Sequence, residues 1–125
     1  MTTGSWLAFL AAAAIGAPAR YVIDGAVQGW TRGAFPWGTF VVNVTGCLAL
    51  GVITGLALYH GLPATSRTVV GAGGLGAYTT FSTFTFETIR LAEEGAASAA
   101  LRNVAGNVAV GLAAAGAGLA ITAAF

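Results

Sequence analysis

The chain divides into four apolar stretches, each about as long as the 20 helical residues that cross a bilayer's hydrocarbon core, with its few charged side chains gathered toward their ends. A soluble domain of ordinary composition carries roughly 25% charged residues; here 57% of residues are hydrophobic, 7% are charged and the mean hydropathy is +0.82. Such a chain folds in lipid. Segment one is expected from about Trp6 to Val27, segment two from about Gly38 to Tyr59, segment three from about Arg67 to Arg90 and segment four from about Ala99 to Phe125. Residues 1–125 therefore form one all-α transmembrane domain, with the lipid bilayer as its surroundings.

The punctuation agrees with this division. Gln28 to Trp37 is expected to form an interfacial loop, with Trp30 and Trp37 in it at headgroup depth, and His60-Gly61-Leu62-Pro63 breaks the chain after segment two. His60 is expected to sit in interfacial water. Ala17-Pro18-Ala19 has the look of a signal-peptidase site, but no Lys or Arg precedes the apolar run, so segment one is read as a span. The formal charge is +1 and every cation is arginine, so no basic patch points to nucleic acid. Arg32, Arg90 and Arg102 would lie on one side and Arg67 on the other, too small a bias to set one orientation. Cys47 is the single cysteine, which excludes an internal disulfide, and no His/Cys cluster suggests zinc.

Small residues mark the packing faces. Gly51 and Gly55 form a GxxxG pair, and Ala105, Ala109 and Ala113 recur every fourth residue, the pattern that lets membrane helices approach closely. A bundle this slim has little room for a hydrated pathway of its own. A homo-oligomer is expected.

Segment three carries the chemistry. Gly71, Gly73, Gly74 and Gly76 each cost about 1 kcal/mol of helix propensity relative to alanine, and the hydroxyls of Thr79, Thr80, Ser82, Thr83 and Thr85 follow at once. This predicts a broken helix. Freed backbone at bilayer depth is tolerated only inside protein or beside a cavity, where carbonyls can meet a cation and amides an anion; the alternative is a kinked helix whose hydroxyls bond back to the preceding turn. Phe81 and Phe84 share a helix face, and their ring edges carry partial positive charge that an anion would prefer. Thr39, Asn43 and Cys47 form one stripe of segment two, where Asn43 either offers amide hydrogens or ties helices together. Glu87 and Asp24 are expected to pair with Arg90 and Arg20 one turn away.

The pattern Gly38-Thr39-Phe40-Val41-Val42-Asn43-Val44-Thr45-Gly46, then Gly76-Ala77-Tyr78-Thr79-Thr80-Phe81-Ser82-Thr83-Phe84 and Glu87, with Gly16 and Arg20-Tyr21 upstream, resembles the Fluc/CrcB family of fluoride channels over nearly the whole chain. The resemblance implies an antiparallel, dual-topology homodimer in the cytoplasmic (inner) membrane. It implies two fluoride pathways, passive fluoride export and a central structural sodium ion. By the same resemblance Gly76 and Thr79 would hold sodium through their carbonyls. Phe81 and Phe84 would line the pores, Asn43 would donate to the ion, Ser82 and Thr83 would continue the polar track, and Arg20 would draw anions into a vestibule. Ala77 and Tyr78 depart from the family's usual residues without touching the sodium carbonyls.

Two other classes compete. A proton-coupled drug exporter with four short helices needs a carboxylate deep in the first helix and an aromatic cage for an organic cation, and segment one has neither at depth. A packing subunit of a larger complex would not need the glycine-hydroxyl break. No nucleophile, base and oxyanion-donor set supports an enzyme.

Overall fold

The computed structural model describes residues 1–125 and is helical throughout. Helix α1 spans Thr3–Thr31, α2 Trp37–Tyr59 and α3 Ala64–Arg67; a π-helix over Thr68–Leu75 leads into α4, Gly76–Tyr78, and α5, Ser82–Glu93, and α6, Ala97–Ala123, complete the chain. Three helices, α1, α2 and α6, are long and apolar enough to cross a membrane. The remaining traverse, α3 through α5, is interrupted after Tyr78.

Local chemistry explains the ends. The Thr2 hydroxyl caps α1 by accepting the Ser5 amide at 3.2 Å. Pro18 lies inside α1 without ending it, as membrane helices tolerate. The turn between α5 and α6 closes as a Schellman motif: Ala96 N–H donates to the Leu91 carbonyl at 2.8 Å and Gly95 N–H to the Ala92 carbonyl at 3.2 Å. Gly95 has φ +80°, which favours glycine. His60 does not simply face water: its Nε2 lies 2.7 Å from the Thr122 carbonyl, tying the end of α2 to the end of α6.

Segment one runs longer than its sequence predicts, because helix continues through Gly29 and Trp30 to the left-handed Arg32 at φ 41°. The glycine run does not itself break segment three. Its residues stay helical in the wider π form, and the chain opens one turn later at Thr79, Thr80 and Phe81. The glycines instead let α1 approach: a Cβ on Gly16 would strike the Gly74 carbonyl, and one on Gly73 would lie 3.0 Å from the Phe9 carbonyl and ring. Three glycines in the π-helix forgo about 3 kcal/mol of helix propensity; close packing on α1 demands the missing side chain at Gly73, whereas a Cβ on Gly71 or Gly74 would meet its nearest neighbour at an ordinary 3.6 Å.

The most extensive contact is α2 on α6. Gly51 faces the Ala115 carbonyl, Gly55 the Thr122 hydroxyl and Gly118 the Leu48 carbonyl, so the GxxxG pair sits where the two backbones meet. Only 16 of the 125 residues are buried, which leaves most of the apolar surface for lipid or a partner. The largest fully buried side chains include the polar Asn103 and Thr39 beside Leu91 and Val42.

Replacing Gly51 by Ala drives a methyl into the Ala115 backbone. It is expected to lower stability by about 1–3 kcal/mol, the usual cost of overpacking. Gly116→Ala meets open space and is expected to leave stability unchanged or slightly raised. Thermal unfolding in detergent checks both, and equal behaviour of the two variants would disprove this packing account.

Candidate functional site

The break exists because side chains capture the backbone groups that an unbroken helix would pair internally. Thr79 is extended, with φ −77° and ψ 163°. The next amide, Thr80 N–H, donates to Asn43 Oδ1 at 2.9 Å instead of to the Gly76 carbonyl. Asn43 Nδ2 in turn donates to the Thr80 carbonyl at 2.9 Å. One carboxamide from α2 thus satisfies both backbone groups of Thr80. The Thr79 carbonyl accepts Arg20 Nη1 from α1 at 3.2 Å.

Hydroxyls finish the arrangement. Thr83 N–H at the start of α5 donates to Thr80 Oγ1 at 3.2 Å, a cap for the renewed helix. Thr80 Oγ1 donates to Thr83 Oγ1 at 3.0 Å, and Ser82 Oγ lies 3.4 Å from Thr80 Oγ1. Thr79, Thr85 and Thr88 bond back to carbonyls of the preceding turn. The back-bonding expected of a kinked helix is therefore present on these three threonines, beside a true interruption of the helix at Thr79 to Phe81. Gly46 makes room: a Cβ there would strike Thr79 Cγ2.

Beside the break lies a groove of 360 Å³ lined by Asn43, Gly76, Thr79, Phe81, Phe84 and Asn107, among others. The Phe81 and Phe84 rings stand 5.8 Å apart, tilted by 51°. Phe81 is 77% exposed, so its ring projects from the single chain. Arg20, Ser82 and Thr83 do not line this groove. Arg20 reaches the break from α1, and Ser82 and Thr83 form the hydroxyl cluster at the head of α5.

The expected ion pairs of Asp24 with Arg20 and Glu87 with Arg90 do not form. The one salt bridge is Arg90 to Glu94 at 3.9 Å, and Arg20 is committed to the break. Glu87 Oε1 accepts the Thr39 hydroxyl at 3.1 Å, while Glu87 Oε2 is buried without a partner. These carboxylates lie with Tyr21, Gln28 and Arg90 around a second cavity of 390 Å³. One-turn spacing permits an ion pair but does not oblige it when a hydroxyl or a carbonyl on a neighbouring helix lies closer.

Asn103 and Asn107 on α6 are the residues that sequence reasoning missed. Asn107 Oδ1 accepts Asn43 Nδ2 at 3.3 Å, so Asn43 reaches both the break and α6. The signal was present as two asparagines one helical turn apart inside an apolar run, the same kind of signal that singled out Asn43.

No cluster of His, Cys, Asp or Glu able to hold a metal ion forms in the structure. The Gly76 carbonyl has lost its helical donor to Asn43, and the Thr79 carbonyl receives no backbone N–H. Carbonyl oxygens of this kind suit a hard cation. Such an ion needs several oxygens at once, more than these carbonyls of one chain, and the Arg20 guanidinium already occupies one lone pair on Thr79.

The sequence matches known proteins over most of its length. The model of the family described as "CrcB-like protein, Camphor Resistance (CrcB)" matches residues 7–119. A Streptomyces avermitilis protein named fluoride-specific ion channel FluC 1 is 49% identical over 115 residues, covering 92% of this chain and 93% of its own. A Frankia casuarinae protein of the same name is 50% identical over 123 residues, covering 93% and 95%. The Magnetococcus marinus fluoride-specific ion channel FluC is 44% identical over 105 residues, covering 83% and 84%. With the broken third traverse and the clamped Thr80 in the matched region, the chain belongs to the CrcB family, a family of ion channels and not of enzymes.

Proposed function

We propose that two copies of this chain, inserted in opposite orientations in the cytoplasmic membrane, form a fluoride-selective channel with two pores that lets fluoride leave the cell passively. The observation that carries this reading is the groove in which the Asn43 amide and the Phe81 and Phe84 rings meet beside the break. Fluoride is small and tightly hydrated, so a dry path must present donors in place of water's hydrogens. Amide N–H groups, hydroxyls and ring edges do so without the full charge that would hold the ion too tightly to release it. Arg20 supports this balance, because its guanidinium is held by the Thr79 carbonyl outside the groove lining and keeps its charge there. It can raise the local anion concentration without binding the ion in the pore.

Export follows from the gradient. Fluoride that enters as neutral HF from acid surroundings ionises inside, and a passive selective pore returns it. The Phe81 ring, 77% exposed in one chain, is the kind of apolar surface that a second copy would cover. The same second copy would bring its own Gly76 and Thr79 carbonyls and complete a set able to hold sodium. Bound there, sodium would supply fixed positive charge and fasten the subunits. Ser82 and Thr83 would extend the path along their hydroxyl cluster. The drug-exporter reading finds no support, since Asp24, the one carboxylate of α1, lies toward the end of that helix.

Purified protein in liposomes is expected to release fluoride rapidly, without proton coupling, while chloride stays inside. Efflux no faster than from empty vesicles defeats the assignment. Phe81→Ile should slow fluoride flux more than tenfold, a rise in barrier of about 1.4 kcal/mol or more, with the dimer intact on size-exclusion chromatography; Asn43→Ala should slow it at least as much and, because it strips both bonds from the Thr80 backbone, also lower the melting temperature. Replacing sodium by a bulky organic cation during purification should lower the dimer's melting temperature by mass action, and a melting temperature indifferent to sodium argues against the carbonyl site.

A further inference from the structure

The chain contains three asparagines, Asn43, Asn103 and Asn107, and the fold brings all of them into one hydrogen-bonded ladder. Every link donates in the same direction. Asn43 Nδ2 donates to Asn107 Oδ1 at 3.3 Å, and Asn107 Nδ2 donates to Asn103 Oδ1 at 2.9 Å and to the Asn103 carbonyl at 2.9 Å. Asn103 Nδ2 donates to Thr88 Oγ1 at 2.9 Å, and the Thr88 hydroxyl donates to the Phe84 carbonyl at 2.8 Å. Asn103, in the middle, is fully buried.

The direction cannot reverse. At one end Thr80 N–H can only donate, so it holds Asn43 Oδ1 toward itself. At the other end the Phe84 carbonyl can only accept, so the Thr88 hydroxyl turns its proton there and offers its lone pairs to Asn103. Turning any one carboxamide over would set N–H against N–H or oxygen against oxygen where desolvation makes the conflict costly. Both ends belong to the broken segment, Thr80 in the break and Phe84 in α5.

We propose that Asn107, Asn103 and Thr88 are positioning residues for ion passage: with the sense of the Asn43 carboxamide set by Thr80, Asn103 and Thr88 fix the sense of the Asn107 carboxamide, so that the second Asn43 N–H is held toward the groove on a replaceable acceptor. This rests on the channel reading above. Asn43 spends one N–H on the Thr80 carbonyl at 2.9 Å and the other on Asn107 at 3.3 Å. The second is the longest link of the ladder and hence the weakest. An anion in the groove, which Asn43 and Asn107 both line, takes that N–H in exchange for the Asn107 oxygen and leaves the Thr80 clamp closed. When the ion departs, Asn107, held by Asn103, takes the N–H back. The break never has to open for the ion to be bound and released.

Thr88 tests the idea because it does not line the groove and acts only through the ladder. In protein labelled with 15N-asparagine, all side-chain amide signals come from the ladder. In the wild-type chain the three pairs are expected to exchange slowly with deuterium, and added fluoride should shift the Asn43 and Asn107 pairs. Thr88→Val should speed exchange of those two pairs at least tenfold and reduce fluoride flux at least fivefold, and Thr88→Ser, which keeps the hydroxyl, should restore both. Unchanged exchange in Thr88→Val, or faster exchange with unchanged flux, overturns the proposal. Should Thr88→Val fail to assemble, the wild-type measurement decides alone: fast exchange, or no shift with fluoride, overturns it. A wild-type chain that passes no fluoride removes the channel reading, and the exchange data then still report whether the ladder is locked.

Discussion

Everything distinctive in this fold depends on the two hydrogen bonds between the Asn43 carboxamide and the backbone of Thr80, each 2.9 Å long. Their net gain is modest, since a polar contact between membrane helices contributes on average about 0.6 kcal/mol and rarely more than about 2. The cost of leaving them unmade is larger, because each unsatisfied backbone group in hydrocarbon costs several kcal/mol. The clamp therefore matters less as glue than as the condition under which a break at this depth is allowed. Arg20 on the Thr79 carbonyl and Thr80 Oγ1 on the Thr83 amide serve the neighbouring groups in the same way.

The glycines explain how such short side chains reach the break at all. A carboxamide on α2 can bracket Thr80 only if α2 runs within a few ångströms of it. Gly46, one turn below Asn43, is the position where a Cβ would strike Thr79. On the opposite side Gly16 admits the Gly74 carbonyl, bringing Arg20, one turn further along α1, within reach of Thr79. Close backbone approach and polar capture are thus one design, since the first sets the distances that the second needs.

Much of this was legible in the sequence. Apolar segment lengths gave the helical traverses to within a few residues at most ends, and the glycine-hydroxyl run marked segment three as the one that would not be a plain rod. Asn43 was visible as a mid-span amide. The position of the break was not, because propensity places weakness at the glycines, whereas the opening lies where an outside side chain can take over the backbone bonds, and that depends on which helix is adjacent. The partners of Asp24, Glu87 and Arg20 were misread for the same reason: spacing along one helix describes neighbours on that helix only, and here the decisive partners come from another. Asn103 and Asn107 carried a readable signal, but their meaning lay in the direction of a ladder that only the folded arrangement of α2, α5 and α6 reveals.

Charge placement separates two tasks within the same few helices. Arginine and the carboxylates stay out of the groove beside the break, whose lining is carboxamide, carbonyl, hydroxyl, thiol, aromatic and aliphatic. Asp24, Glu87 and Arg90 border a different cavity. A formal charge in the groove would bind one sign of ion strongly and raise the barrier to its departure. A carboxamide offers donors that are already oriented and carry no net charge. Binding in such a groove is shallow but repeatable, and its strength is set by how firmly the donors are held before the ion arrives. The rigidity of the surrounding hydrogen bonds, more than the identity of any single pore-lining group, therefore decides how well this architecture replaces water.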